Sequence, residues 1–371
     1  MKTYGISVDA LTLPRYTGVE RYVFSLLKAM MQEPLYKDER VILYSSKPIL
    51  ALGDLPYGWS YKILNWSGKG WTHFRLGFEL VFHPPTVFVA LAHEVPLLHR
   101  QSKIVGTIHD LAFLITPSVY SLWARWRQRL ALGHTLNDAA AIITVSQTTK
   151  NDIAKRFSHC ADKMTAVPLA IDCQDFSISS PEIEAVLKAY GLKRGEYFVA
   201  VGRIEKKKNH LLLIKAFEFY KEKTGSKVRL LFLGSFGYGA SEIQNRIQTS
   251  FVGQDILTPG FVSDVHKAAL LAGATALLFA STYEGFGLPL LEAMAVGTPI
   301  ICSDIPSSHE VVQDAAIFCE VKDSRQWALA LERIEQDKEL VRVLNTAGKK
   351  RLGDFNWRSS ARKTFKVLRS V

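Results

Sequence analysis

The sequence predicts an α/β protein built as two doubly wound, Rossmann-like domains facing across a cleft. Three observations predict it. Short apolar runs of strand length alternate with helical stretches along almost the whole chain, the pattern of parallel sheets covered on both faces. The 371 residues exceed one ordinary core and suit two. Polar or glycine-bearing turns sit where strand runs end and helical runs begin, and doubly wound sheets bind ligands at those strand ends.

Composition narrows the class. A chain 48% hydrophobic and 22% charged is neither disordered nor fibrous. No apolar run reaches the length of a membrane span. The start, MKTYGISVDA, lacks the basic, apolar and cleavage regions of a signal peptide, so the expected location is cytoplasmic. Cys160, Cys173, Cys302 and Cys319 have no paired spacing and read as free buried thiols. The net charge is +11, and residues 355–371 hold five Lys or Arg and no acid. No nucleic-acid motif accompanies this charge, so no nucleic-acid partner is expected. An anionic lipid surface or a diphosphate substrate explains it as well.

The first domain is expected over residues 1–180. Strands are predicted at 3–8, 40–44, 103–107, 141–145 and 164–167, with a helix over 18–31 after the first. The stretch 172–196 is polar and bounded by proline and glycine, which marks the domain boundary. The second domain, 181–354, repeats the pattern: strands at 197–201, 229–233, 276–280 and 299–302, helices at 210–224 and 288–295. Residues 357–371 form one basic amphipathic helix, expected to cross back onto the first domain.

Four turns carry chemistry. In the run from Ser281 to Pro299 a strand ends, a turn holds Glu284, Gly285, Phe286 and Gly287, and a helix starts near Leu288. Glycines there let backbone N–H groups face an anion or a sugar oxygen at a helix N-terminus. Glu292 lies one to two turns further on, and a carboxylate accepts from paired sugar hydroxyls. In Val201-Gly-Arg-Ile-Glu-Lys-Lys-Lys-Asn, Arg203 and Lys208 flank a helix start and suit a diphosphate, while Lys206 and Lys207 read as solvated neighbours. Gly18 opens the first helix. His109 and Asp110 end a buried strand, and Ser146 follows the next one.

EGFGLPLLE, with its two glutamates, resembles the E-x7-E signature of retaining glycosyltransferase family 4, and the resemblance extends over essentially the whole chain. It implies a GT-B fold, a nucleotide-sugar donor and a hexosyl transfer. It also implies roles: Glu284 on hydroxyls of the donor sugar, Glu292 on the ribose, and the N–H groups of Phe286 and Gly287 on donor oxygens. Arg203 and Lys208 match the family's diphosphate clamp, and Gly18 its close backbone approach to the diphosphate. His109 and Asp110 match its HDL element at the donor hexose. Ser146 matches its small polar residue after the next strand. Phe261 and Val262, in Pro259–Asp264, resemble the loop that packs on the nucleobase. This chain has Thr17-Gly18 where the family commonly has Gly-Gly.

No Asp-x-Asp and no zinc-type His/Cys cluster occurs, so transfer without a metal or other cofactor is expected, the cations and helix N-termini stabilising the leaving diphosphate. UDP-glucose or a close UDP-hexose is the favoured donor, and GDP-mannose also fits. The acceptor is expected to be a saccharide or a lipid-linked saccharide in polysaccharide biosynthesis. Helix 119–132 puts Val119, Leu122, Trp123, Trp126 and Leu130 on one side, flanked by Arg127 and Arg129. That face either packs on the core, the favoured reading, or lies in an anionic membrane interface at the inner face of the membrane. The competing functions are a GT-B nucleotide-sugar epimerase and a non-catalytic binding subunit.

Overall fold

A computed structural model describes residues 1–66, 69–92 and 95–371. The chain divides into two compact units. One comprises Met1–Leu114, Leu122–Ala170 and Asn356–Val371, the other Ile115–Ser121 and Ile171–Phe355.

The N-terminal unit is laid out as β1 (Lys2–Ser7), α1 (Gly18–Met31), β2 (Glu39–Ser45), β3 (Trp59–Ile63), α2 (Gly77–Phe82), β4 (Val87–Ala90), β5 (Lys103–Ile108), α3 (Ala112–Ile115), α4 (Leu122–Asp138), β6 (Ala139–Thr144), α5 (Gln147–Arg156) and β7 (Met164–Ala166). The strands form one parallel sheet in the order β3-β2-β1-β4-β5-β6-β7. β4 and β5 are buried along nearly their whole length, as a strand covered on both faces must be.

The C-terminal unit continues with α6 (Ser180–Ala189), β8 (Tyr197–Val201), α7 (His210–Thr224), β9 (Arg229–Leu233), α8 (Ala240–Thr249), β10 (Ile256–Gly260), α9 (Asp264–Ala272), β11 (Ala276–Phe279), α10 (Leu288–Val296), β12 (Ile300–Ser303), α11 (Pro306–Val312), β13 (Ile317–Cys319), α12 (Ser324–Gln336) and α13 (Lys338–Leu352). Its parallel sheet runs β10-β9-β8-β11-β12-β13. Phe198, Phe217, Phe232 and Trp327 form the centre of its core between the sheet and α7 and α12. The order places β8 between β9 and β11, so the turns that follow these strands lie side by side.

The last helix, α14 (Trp357–Ser370), belongs to the N-terminal unit and packs on α1. Arg358 and Arg362 each donate to Glu33 at 2.9 Å, and Arg369 grips Glu39 with two bonds of 2.8 Å. The Arg369 guanidinium holds the Glu39 carboxyl at about 2, against the opposing effect of burial.

Four strands escape the sequence pattern: β3, β4, β10 and β13. β3, β10 and β13 lie at sheet edges, where burial is less demanding, whereas β4 is a buried four-residue strand inside its sheet. β10 even accommodates Pro259, which an edge strand tolerates. The polar stretch between the domains contains α6, started by a capping box in which Ser179 N donates to Glu182 at 2.9 Å. The exchange between units falls at 170/171, before the expected 180/181, because the short turn Cys173–Phe176 packs on α9 and α10. Of the cysteines, Cys160, Cys302 and Cys319 are buried and Cys173 is exposed; all four are free.

Candidate functional site

In the C-terminal unit, Gly202 leaves β8 at φ +131° and Gly234 leaves β9 at φ +151°. The two exits touch: a Cβ on Gly234 would stand 2.1 Å from the Gly202 carbonyl, so no other residue fits there. The loop after β8 then pairs with the loop after β9, through Ile204 N to Ser235 O and Gly237 N to Ile204 O, both 2.9 Å. Arg203 lies at the surface with its stem across Gly237, where a Cβ would meet Arg203 Cδ at 2.5 Å. The chain passes through Lys206–Lys208 and, with Asn209 at φ 59°, enters α7 without a side-chain cap.

On the other side of β8, the turn after β11 lies against the same lysines, with Thr282 N donating to Lys207 O at 3.0 Å. Lys208 Nζ donates to Glu284 Oε1 at 2.6 Å, and Lys207 Nζ stands 3.3 Å from Glu284 Oε2. The three side chains are only 11–18% exposed. Burial pushes the Glu284 carboxyl up, but the charges of Lys207 and Lys208 and the bond from Lys208 overcome it and hold the group at about 2. Glu284 is therefore a carboxylate at any ordinary pH. Lys207 is no solvated bystander; Lys206 is, pairing at the surface with Glu242 at 2.9 Å. The stem of Lys208 lies against Gly202 and its ammonium over the Phe279 ring, 5.4 Å from the centroid.

Gly285 and Phe286 are buried, and the Phe286 ring meets Phe355 edge-on at 5.7 Å. Gly287, at φ +129°, precedes α10 with no side-chain cap; a Cβ there would press on Leu290 at 2.9 Å. Leu288 and Pro289 open the helix. Glu292 follows on α10, 5% exposed, with Oε1 bonded by Lys267 Nζ from α9 and Oε2 buried without a hydrogen-bond partner. Phe261 is half exposed and Val262 less so, in the loop that joins β10 to α9.

The N-terminal unit holds its candidates differently. Gly18 begins α1, but Glu20 folds back on that start and accepts from Thr17 N at 2.8 Å and from the Thr17 hydroxyl. A carboxylate thus already occupies the N-terminus that Gly18 was expected to open. His109 Nε2 donates to the Leu91 carbonyl at 2.9 Å, and its ring meets Tyr22 edge-on at 5.0 Å. Asp110 caps α3, accepting from Ala112 N at 3.0 Å. Ser146 is fully buried as the N-cap of α5, with Thr149 N at 2.9 Å and Thr149 Oγ1 at 3.0 Å.

The favoured reading of helix 119–132 is overturned. α4 begins at Leu122, leaving Val119 in the preceding turn, and Leu122, Trp123, Trp126 and Leu130 are 54–79% exposed. Trp123 and Trp126 stack at 5.2 Å. Only the far half, at Leu132, Thr135 and Leu136, is buried. The C-terminal tail gives less support to a basic surface than its composition suggested, because Arg358, Arg362 and Arg369 are engaged by Glu33 and Glu39. No helix among the described residues is long and apolar enough to cross a membrane. Among the same residues no group of three or more His, Cys, Asp or Glu is placed to hold a metal.

The sequence reading missed Lys207, Lys267 and the Thr17–Glu20 closure. Only the last had a local signal, the T-x-x-E capping-box spacing. Two family profiles match the chain in tandem: Glycosyltransferase Family 4 over residues 16–175 and Glycosyl transferases group 1 over 183–351. The chain is 26% identical to O-antigen chain mannosyltransferase B of Escherichia coli, over 84% of this chain and 79% of that protein. It is 29% identical to O-antigen chain mannosyltransferase RfbU of Salmonella typhimurium, over 68% and 66%. In fold it is similar to Anabaena HepE, solved with UDP-glucose (TM-score 0.77, 15% identity, all of both chains), and to WaaG, a glycosyltransferase involved in lipopolysaccharide biosynthesis (TM-score 0.74, 16%, 98% of each).

Proposed function

Because this chain is a glycosyltransferase of family 4 with the GT-B fold, we propose that it moves a hexose from a nucleoside-diphosphate sugar to a saccharide or lipid-linked saccharide with retention of anomeric configuration. The observation that carries the reading is the largely buried Lys207–Lys208–Glu284 cluster between two uncapped helix starts. The anomeric C–O bond breaks through an oxocarbenium-like transition state, and negative charge builds on the departing diphosphate. Arg203, Lys208, Lys207 and the N-termini of α7 and α10 stabilise that charge where it develops. A metal is not needed in this scheme, since fixed cations perform the same electrostatic task. Glu284 has lone pairs beyond those its lysines engage, and these accept from hydroxyls of the hexose. Glu292 Oε2 accepts from the ribose. The acceptor hydroxyl attacks the face the diphosphate leaves, and a diphosphate oxygen takes its proton. His109 contacts the donor hexose.

Two relatives aligned over more than two thirds of the chain are mannosyltransferases of O-antigen chains, which moves the first choice of hexose from glucose to mannose and supports a role in polysaccharide biosynthesis. GDP-mannose is the first donor to assay and UDP-glucose the second. The exposed tryptophans of α4, with Arg127 and Arg129 and no acid before Asp138, support peripheral contact with an anionic bilayer, where lipid-linked acceptors are held. The deciding assay incubates each donor with and without saccharide acceptors, in EDTA, and follows the product anomer by NMR. Slow hydrolysis alone and α-to-α transfer with acceptor are expected. An epimerised donor, an inverted product, or activity that EDTA abolishes and Mg2+ restores would overturn the corresponding part of the reading.

A further inference from the structure

The two signature glutamates are not braced alike. Both oxygens of Glu284 face lysines, whereas Glu292 has one oxygen bonded and the other buried without a partner. The lysine responsible, Lys267, is 11% exposed and stands in the first turns of α9. A cation there opposes the helix dipole, which favours acids at an N-terminus. Lys267 is not a solvated residue that reaches Glu292 by chance. Its ammonium is 5.7 Å from the centroid of the Phe176 ring, on the turn Cys173–Phe176, and 3.8 Å from Asp264 Oδ1. Phe176 and Asp264 thus flank the donor that holds Glu292 Oε1.

We propose that Lys267 is a positioning residue for the donor nucleotide. By engaging Oε1 it sets the orientation of the Glu292 carboxylate and leaves Oε2 as the acceptor for a ribose hydroxyl. A buried acceptor without a partner costs free energy until a donor arrives, so an incoming hydroxyl restores a bond that the empty site lacks. A ligand without that hydroxyl leaves the oxygen unpaired, and the site discriminates against it for that reason. Without Lys267, Glu292 loses both its counter-charge and its fixed rotamer, and the discrimination disappears. This inference rests on the assignment of Glu292 to the ribose.

The test uses the full chain, calorimetry, and two ligand pairs: GDP with 2′,3′-dideoxy-GDP, and UDP with 2′,3′-dideoxy-UDP. With the nucleotide it accepts, the unaltered protein should prefer the ribose form about ten- to a hundredfold. Lys267→Met keeps the apolar stem beside Phe176 and removes the donor. It should bind the ribose form about tenfold or more weakly, bind the dideoxy form nearly as before, and show little preference. Lys267→Arg should restore most of the preference, and Lys267→Met should add little to Glu292→Gln in the double variant. Thermal melts of each variant verify folding; should Lys267→Met not fold, Lys267→Gln takes its place in the same comparison. Undiminished preference in the folded variant, or equal weakening of both forms, overturns the role of Lys267. If the unaltered protein itself shows no preference, Glu292 does not hold the ribose, and the inference falls with that assignment.

Discussion

With the exception of α9, which Ser263 caps, the helices that follow the motif turns start differently in the two units. In the N-terminal unit, α1, α3 and α5 begin with a side chain already on their N–H groups: Glu20 and Thr17, Asp110, and Ser146. In the C-terminal unit, α7 and α10 begin at Asn209 and Gly287 with no side-chain cap, and cations stand beside them. A capped helix start has its donors and its dipole partly satisfied, whereas an uncapped one beside Lys and Arg is a site of positive potential. Similar strand–turn–helix sequences therefore serve two ends. In the N-terminal unit side chains of the chain itself occupy the starts of α1, α3 and α5, and at α7 and α10 none does.

The sharpest way to break this comparison is to remove charge from the open side. Glu284→Gln retains shape but not charge. Transfer should fall by more than three orders of magnitude, while binding of the bare nucleoside diphosphate stays within a few fold. Equal loss of both would place Glu284 at the nucleotide instead of the hexose. Arg203→Ala should reduce kcat/KM by two or more orders of magnitude, roughly 3 kcal/mol of transition-state stabilisation. Lys206→Ala, at the surface pair with Glu242, should be nearly silent, and parity between these two variants would remove the clamp assignment.

Acid sharpens the comparison in another way. The Glu284 carboxyl is lowered from its ordinary 4.5 to about 2, so its contribution to stability is complete above about 4.5 and is lost as the pH falls toward 2. By linkage the loss is on the order of 3 kcal/mol, in the C-terminal unit. His210, buried edge-on against Phe232, is pushed down to about 4 by burial. The unfolded chain therefore takes up this proton first, and the folded state loses ground between 6.5 and about 4. Unfolding melts from pH 7 to 2.5 should show both slopes, and Glu284→Gln should have a clearly shallower lower one, the remainder coming from Glu39. An unchanged lower slope in that variant would assign it to other carboxylates, Glu39 with Arg369 first among them.

The smallest effect tests the closed side. Ser146→Ala removes a buried cap and should cost about 1 kcal/mol of stability with little change in donor KM. A tenfold rise in KM at unchanged stability would mean that Ser146 meets the donor after all, and that its cap is not its main task.

Much of the protein was legible in one dimension. The E-x7-E run, the Gly-Arg turn and the final helix could be placed because each is local: a strand ends, a glycine permits a backbone angle, a helix begins. Strands such as β5, β8 and β12 declared themselves by continuous burial, while the partly exposed edge strand β10 did not, and neither did β4, although it is buried throughout. Pairing was another matter. That Lys207 and Lys208 meet Glu284 follows from β8 and β11 being neighbours in the sheet, although Lys208 and Glu284 are 76 positions apart in sequence. That Lys267 meets Glu292 follows from α9 packing on α10. The same holds for the exposed tryptophans of α4, whose periodicity marks an apolar face without saying whether anything covers it. Sequence by itself determined the class, the order of elements and the residue types at each turn, because backbone preference and side-chain period act over a few residues. Only the tertiary structure decided which charges share a buried space, since strand order and helix packing set those distances.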